Sequence, residues 1–323
     1  MRPVVRRSIL LLLRWCLLSA LFALFFETGA AQDSVYVLNY GERFTLRPFV
    51  RSNSMALEVE NKIDFQRTAY RANTPVSMGM AFWWRTFGFS LSAGIPHSEL
   101  RDAAPSRYFD FQYHRYGKYL NIDLYAQAYL GLYARLPEEG YTSFGDSQIS
   151  RLGLRFSYLI GGHNISYCAA FEQSEQQLYP DICFPVGVGG YYQYVYSHRP
   201  KLGVERRNNP LVELYAGMMG IYPWGHYYVA LEGTLGLSQN MYEDALRHAQ
   251  PQYTFQGRLA LGYTTKHWSL ALVGYYHSLG FEETETQRYY ISSMTGELSF
   301  NYRFFSFVRP LRWVDWGNRV LGW

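Results

Sequence analysis

The side chains able to do chemistry are few and scattered. Eight histidines occur in 323 residues. The fragments His97-Ser98, His163 with Ser166, His226 and His277-Ser278 offer the hydroxyl and imidazole types that hydrolytic barrels use on lipids. None is joined by a third, orienting group in a motif, so a lipid-modifying hydrolase stands only as an alternative reading, with His277 and Ser278 the first pair to inspect. Glu282-Glu283-x-Glu285 has ligand types for a divalent cation, and Arg199, Lys201, Arg206 and Arg207 could pair with lipid phosphates, but both patterns equally describe a solvated loop. Asn164-Ile165-Ser166 matches a glycosylation acceptor inside an apolar segment that reads as a strand. No cofactor or resident metal is called for, and no catalytic residue is assigned.

Composition says what must hold such residues. Tyr 30, Phe 21 and Trp 8 make 18% of the chain aromatic, against 17% charged, which excludes a disordered, collagen-like or coiled-coil protein. Most of the net charge of +4 resides at the N-terminus, where Arg2, Arg6, Arg7 and Arg14 face a single acid, Glu27. The remainder is close to neutral, so nucleic acid is not an expected partner. Residues 1–31 have the three parts of a secretory signal peptide: a basic start, an apolar stretch over 9–26, and the small residues Gly29-Ala30-Ala31 before Gln32. An uncleaved anchor is the alternative. Leu13-Arg14-Trp15 ahead of Cys16 does not suit lipoprotein processing. Cys168 and Cys183 leave both one disulfide and two free thiols open.

The mature chain alternates. From Leu120 to Tyr133 the even positions are apolar or small while Asn121, Asp123 and Gln127 fall on the odd ones, and Met294 to Phe304 repeats the pattern against Glu297, Asn301 and Arg303. Strands of soluble domains run about 5–6 residues, whereas a tilted membrane-spanning strand needs about 9–11, and most segments here reach the longer figure. The expected fold is therefore an all-β antiparallel transmembrane β-barrel, apolar toward lipid and polar toward the lumen. Twelve spanning segments read near 65–71, 75–85, 86–94, 107–117, 118–133, 146–160, 164–174, 210–220, 226–238, 252–264, 267–279 and 288–304. Short turns separate alternate pairs, and longer connections at 95–106, 134–145, 174–209, 239–251 and 280–287 occupy the other end. Segment 185–197 also alternates. If it spans, parity requires 44–60 to span too, giving fourteen strands; in the preferred count of twelve, 185–197 belongs to a loop or folds inward and 32–60 is a periplasmic lead-in or first strand. The barrel proper is 61–304.

By the same parity Arg155, Glu172, Glu232, Arg258, Glu297 and Arg303 all point into the lumen, where they could pair into a plug. Twelve strands leave an interior that side chains can fill. The expected pore is closed or narrow. Trp83-Trp84, Trp224 and Trp268 beside short turns would mark an aromatic girdle at the membrane interface. Past the aromatic strand end Tyr302-Arg303-Phe304, residues 305–323 form either an amphipathic tail carrying Trp313, Trp316, Val320 and Trp323 on one side or a frayed end.

The stretch 109–135 adds a family likeness. Asp110-x-Gln112, Tyr116-x-Lys118, Asp123 and Gln127-x-Tyr129-x-Gly131-x-Tyr133 resemble an outer-membrane barrel family of Bacteroidota known as a domain of unknown function, and Gln173-x-Glu175-x-Gln177 and the last strand are similar to it too. Asn73-Thr74-Pro75 replaces a Pro-Asn pair after Tyr70, and Ile182-Cys183 a Ser-Gly-Ser-like stretch. The resemblance implies a Gram-negative outer membrane in a Bacteroidota-like host and brings no known activity. The expected partners are outer-membrane lipids and lipopolysaccharide, with barrel-assembly machinery during biogenesis and an open oligomeric state. The expected role is structural, binding or small-solute conduction; a secreted soluble β-domain is the remaining alternative.

Overall fold

The computed structural model describes residues 35–40, 44–84, 87–136, 140–197, 206–241, 251–283 and 286–304. The signal segment 1–31, the tail 305–323, Arg199, Lys201 and Glu285 lie outside them, as do the side chains of Trp83, Trp84 and Glu282. Fifteen strands appear among the described residues: β1 (Val37–Asn39), β2 (Phe44–Asn61), β3 (Arg67–Ala72), β4 (Ser77–Trp84), β5 (Phe87–Gly94), β6 (Arg107–Tyr116), β7 (Leu120–Leu136), β8 (Gly140–Ile160), β9 (Glu175–Gln177), β10 (Asp181–Tyr196), β11 (Arg206–Trp224), β12 (Tyr227–Asn240), β13 (Gln252–Thr264), β14 (Trp268–Glu283) and β15 (Gln287–Phe304). Ten of them close a ring, in the order β2-β3-β7-β8-β10-β11-β12-β13-β14-β15, with β15 returning antiparallel onto β2 through Phe304↔Phe44 and Gln287↔Asn61. Closure joins the first and last strands of the ring to each other.

Four expectations need correction. Residues 44–60 and 185–197 are strands of the ring, β2 and β10, and not a lead-in and a loop. Segment 164–174 is no strand: it turns into the lumen, where every side of it meets protein and alternation has no use. The ring count is ten because β3 covers only the upper half of β2, pairing Ala56↔Arg71 to Glu60↔Arg67, while the β4–β5 hairpin takes the lower half from Thr45↔Trp83 to Arg51↔Ser77 and β6 lies along the lower half of β7. The 134–145 connection is likewise mostly strand, since β7 and β8 pair as far as Leu136↔Gly140.

Sidedness inverts along the strands. In the lower half of β15, Leu298, Phe300 and Tyr302 face out and Glu297, Ser299, Asn301 and Arg303 face in, whereas higher up Ile291 and Tyr289 are buried inside. On β2 Val50 is exposed below, and Met55 and Leu57 are wholly buried above. The apolar face thus lies outside in the lower half and inside in the upper half, the same pleat serving both. At the lower rim aromatic rings touch in succession, Tyr222–Trp224–Tyr227–Tyr263–Trp268–Phe300 and Tyr302–Phe304–Phe44–Phe82, with centroids 4.9 to 6.2 Å apart. Such a belt is the arrangement found where a bilayer meets water.

One glycine shows how the interior is packed. A Cβ on Gly187 of β10 would lie 2.0 Å from the Phe156 carbonyl oxygen and 2.5 Å from Tyr215 Oη. Tyr215 needs that space to bring its ring 3.4 Å from the Arg155 guanidinium.

Candidate functional site: a filled lumen and its lid

The lumen is occupied at three levels. At the top an apolar cluster including Met55, Leu57, Phe144, Ile149, Val195, Phe281 and Ile291 packs together. At mid-height the strands converge charges and tyrosines. Arg151 reaches Gln127 Oε1 through Nε at 3.0 Å and Ser293 Oγ at 2.9 Å, and Tyr125 and Tyr275 share a hydroxyl contact of 2.9 Å. Arg155 donates to Thr234 Oγ1 at 2.8 Å and to Gln256, and its Nε stands 3.3 Å from Glu213, which also accepts from Thr254 at 2.6 Å. Arg258 donates to both oxygens of Asp123 at 3.0 Å and to Tyr116 Oη at 2.9 Å, with Glu232 at 3.4 Å. His114 closes this group from the side, its Nδ1 2.6 Å from Asp123 Oδ1. Arg155 and Arg258 are paired with carboxylates, while Arg151 is met by the neutral groups of Gln127 and Ser293; a buried charge needs such partners.

At the bottom, residues 161–180 fold inward as a lid. A 3-10 turn Gly162–Asn164 and a π turn Cys168–Glu172 lead to β9, which pairs with β1 through Leu38↔Gln176. Gly161 opens the lid at φ 77, the left-handed conformation glycine adopts at little cost. Ile165, Tyr167, Ala169, Ala170 and Phe171 pack on Leu159, Met219, Ile221, Tyr228 and Ala260 of the wall. Polar ties fix the register: Gln177 accepts from Ser166 N at 3.0 Å and donates to Asn164 O at 2.7 Å, Tyr228 Oη donates to Ala170 O at 3.1 Å, and Arg303 donates to the Gln173 carbonyl at 2.6 Å.

Of the six residues placed in the lumen by parity, Arg155, Glu232, Arg258, Glu297 and Arg303 are buried inside the barrel wall. Glu172 is carried by the lid and not by a strand. The six do not form one network. Arg258 meets Glu232, but Arg155 meets Glu213, Glu297 pairs with Arg47 and with Arg51 Nε at 2.7 Å, and Arg303 ties the lid. Arg47 and Arg51 escape sequence reading because β2 is not recognisable as a spanning strand. Glu213, the one charge on a segment that does read as a strand, could have been found by parity.

His277 and Ser278 are not a catalytic pair. Adjacent residues of a strand point to opposite faces; His277 is fully buried in the lumen, its Nδ1 3.3 Å from Arg151 Nη1. His226 Nδ1 sits 3.0 Å from the Thr264 carbonyl, and Ser166 bonds Glu175. Glu283 pairs with Lys62 at 2.5 Å and Arg288 at 3.3 Å. Cys168 and Cys183 are free thiols.

Glu172 makes the lid sensitive to pH. Burial raises its carboxyl to about 7, with Arg47 opposing and Glu175 reinforcing the rise, and burial also raises Glu175. A released Glu titrates near about 4.3, so the proton kept by the docked lid stabilises it fully below that pH, and the contribution is lost as pH rises through about 7. Hydrogen-exchange protection of residues 165–172, corrected for intrinsic rates, is expected to fall between about pH 6 and about pH 8.5, and Glu172→Gln to abolish the fall. Equal protection at both pH values would contradict this.

The residues that carry the family likeness are gathered by the fold. Asp110 accepts from Gln112 Nε2 at 2.9 Å, Gln127 Nε2 at 3.0 Å and Tyr129 Oη, and Gln173 and Gln177 are lid anchors. The family model for the domain of unknown function DUF4421 matches residues 31–304. The chain belongs to the DUF4421 family. That match runs through the entire ring and lid, from ahead of β1 to the last residue of β15. No curated protein matches the sequence. Among solved structures the chain is similar to the translocator domain of autotransporter NalP from Neisseria meningitidis, at 11% identity and TM-score 0.38 over 80% of this chain and 88% of that one. It is also similar to the P. putida toluene transporter TodX, at 9% identity and TM-score 0.27 over 87% and 95%, and to an outer membrane channel from Pseudomonas putida F1, at 9% and 0.27 over 84% and 98%.

Proposed function

We propose that this DUF4421 chain is an outer-membrane β-barrel with a closed axial path, serving a binding or structural role and not free diffusion along its bore. One observation carries the reading: the largest fully buried side chains are Arg151, Arg155 and Arg303, inward-pointing arginines that fill the bore. The apolar cluster above and the lid below support it. The outward leucines and the aromatic belt favour lipid as surroundings over a soluble β-domain. Outer-membrane lipids and lipopolysaccharide are its immediate partners, in a Gram-negative envelope of the Bacteroidota kind that the motif likeness implies. Residues 1–31 direct export, and Tyr302-Arg303-Phe304 is the strand end offered to the assembly machinery.

Two measurements on detergent-folded protein test this. Unboiled protein is expected to migrate differently from boiled protein on a gel, as closed barrels do, and planar bilayers containing it are expected to show no porin-like conductance. Migration unaffected by boiling would remove the barrel, and steady conductance at porin levels would remove the closed path.

A further inference from the structure

Among the described residues the ladder of the wall is interrupted: β5 pairs only with β4 and β6 only with β7, so each leaves one strand edge unpaired. Both belong to the lipid-facing band: Leu91 on β5 is 65% exposed, and Phe109 and Phe111 on β6 are 62% and 46% exposed. The chain between them holds them to different bodies. Ile95 N donates to Val76 O at 2.7 Å on the β4 side, while Ser106 Oγ donates to Gly131 O of β7. Asn73 pins the loop above the gap, bonding Leu100 N at 2.8 Å and Ala103 O at 2.9 Å. Unpaired backbone groups are costly in hydrocarbon, so these edges need water or polar ligand groups, and the gap is a polar breach in an apolar wall.

Behind the β6 edge stands Asp110. Asp123, Glu213, Glu232 and Glu297 each pair with an arginine. Asp110 differs: its partners Gln112, Gln127 and Tyr129 are neutral donors, and no ion pair reaches it among the described residues. A half-buried carboxylate bonded only to neutral donors, on a strand with an unpaired edge and the exposed rings of Phe109 and Phe111, complements a molecule with a positive head and an apolar tail.

We infer that the β5–β6 gap is a lateral portal through which a cationic amphiphile places its ammonium head against Asp110 while its tail stays among the lipids. The inference rests on the membrane-barrel reading and goes beyond it, since the axial path stays shut. The test uses tritiated dodecylamine with the full chain in nanodiscs, scored above protein-free discs, with dodecanoate as the anionic counterpart. Dodecylamine is expected to bind and dodecanoate not to bind. Asp110→Asn should weaken binding about tenfold, the loss of one charge-assisted contact, whereas Asp110→Glu should retain it. In a chain whose native cysteines are changed to alanine, oxidising Leu91→Cys with Phe111→Cys should stitch the gap and abolish binding, and reductant should restore it. Equal binding of dodecanoate, indifference to Asp110→Asn, or undiminished binding by the stitched barrel would each overturn the proposal. Heat-modifiable migration certifies that every variant is folded, and conductance of the same preparation reads the axial path separately.

Discussion

Replacing Arg258 by methionine is expected to lower the stability of the folded barrel by about 3–5 kcal/mol, the cost of removing one partner from a buried ion group. The guanidinium is 5% exposed and serves Asp123, Glu232 and Tyr116 at once. It also faces the rings of Tyr275 at 5.3 Å and Phe171 at 5.8 Å. Methionine fills much of the volume but leaves two carboxylates without their closest cation, Asp123 keeping His114 as a partner. Lysine should not rescue, because a single ammonium cannot meet Asp123, Tyr116 and Glu232 in the directions the planar fork allows. Neutralising the acids as well, with Asp123→Asn and Glu232→Gln beside Arg258→Met, should restore most of the loss, since the penalty is the unpaired charge and not the missing bond. Urea unfolding in micelles, followed by tryptophan emission and by gel migration, measures all three proteins. A loss under about 1 kcal/mol for the single variant would mean that water already reaches the group.

Phe171→Ala should release the lid while sparing the wall. Phe171 is 6% exposed and packs with Tyr167 and Tyr116, ring centroids 5.8 and 6.5 Å away. Truncating a buried phenylalanine costs about 3–5 kcal/mol. The ring closing on β15 does not depend on the lid, because β8 and β10 pair directly from Phe184↔Ile160 upward. The cost should therefore appear as local opening, with protease cleavage inside 162–177 faster by about two to four orders of magnitude and the barrel's own unfolding midpoint little changed. If the midpoint instead falls by the whole amount with no lid-specific cleavage, lid and barrel unfold as one unit.

Class and sidedness are legible from amino-acid order where the outside is hydrocarbon. On β7, β12, β13 and the lower part of β15 one face is leucine and aromatic and the other polar, and parity alone assigns Arg155, Arg258, Glu232 and Glu297 to the interior. The strand that is hard to read, β2, carries its apolar residues on opposite faces in its two halves. Val50 faces out, yet Met55 and Leu57 face in, so the alternation changes sense half-way and no single pattern runs through the strand. β10 does alternate in the sequence, and what places it in the ring is its pairing with β8 and β11, where Gly187 and Gly189 leave room inside for Tyr215, Tyr191 and Glu213. The segment 164–174 misleads in the opposite sense, since its apolar residues serve a lid surrounded by protein.

Amino-acid order by itself determined an all-β chain with alternating faces, inward charges and aromatic residues beside its turns, because a pleat has a period of two wherever its two faces meet different surroundings. Only the tertiary structure decided the rest: which charges pair, the ring of ten, the inward lid, and the unjoined edges of β5 and β6. Those depend on which strands become neighbours, and neighbours on a cylinder are set by closure of the whole ring, a constraint that no local stretch of residues contains.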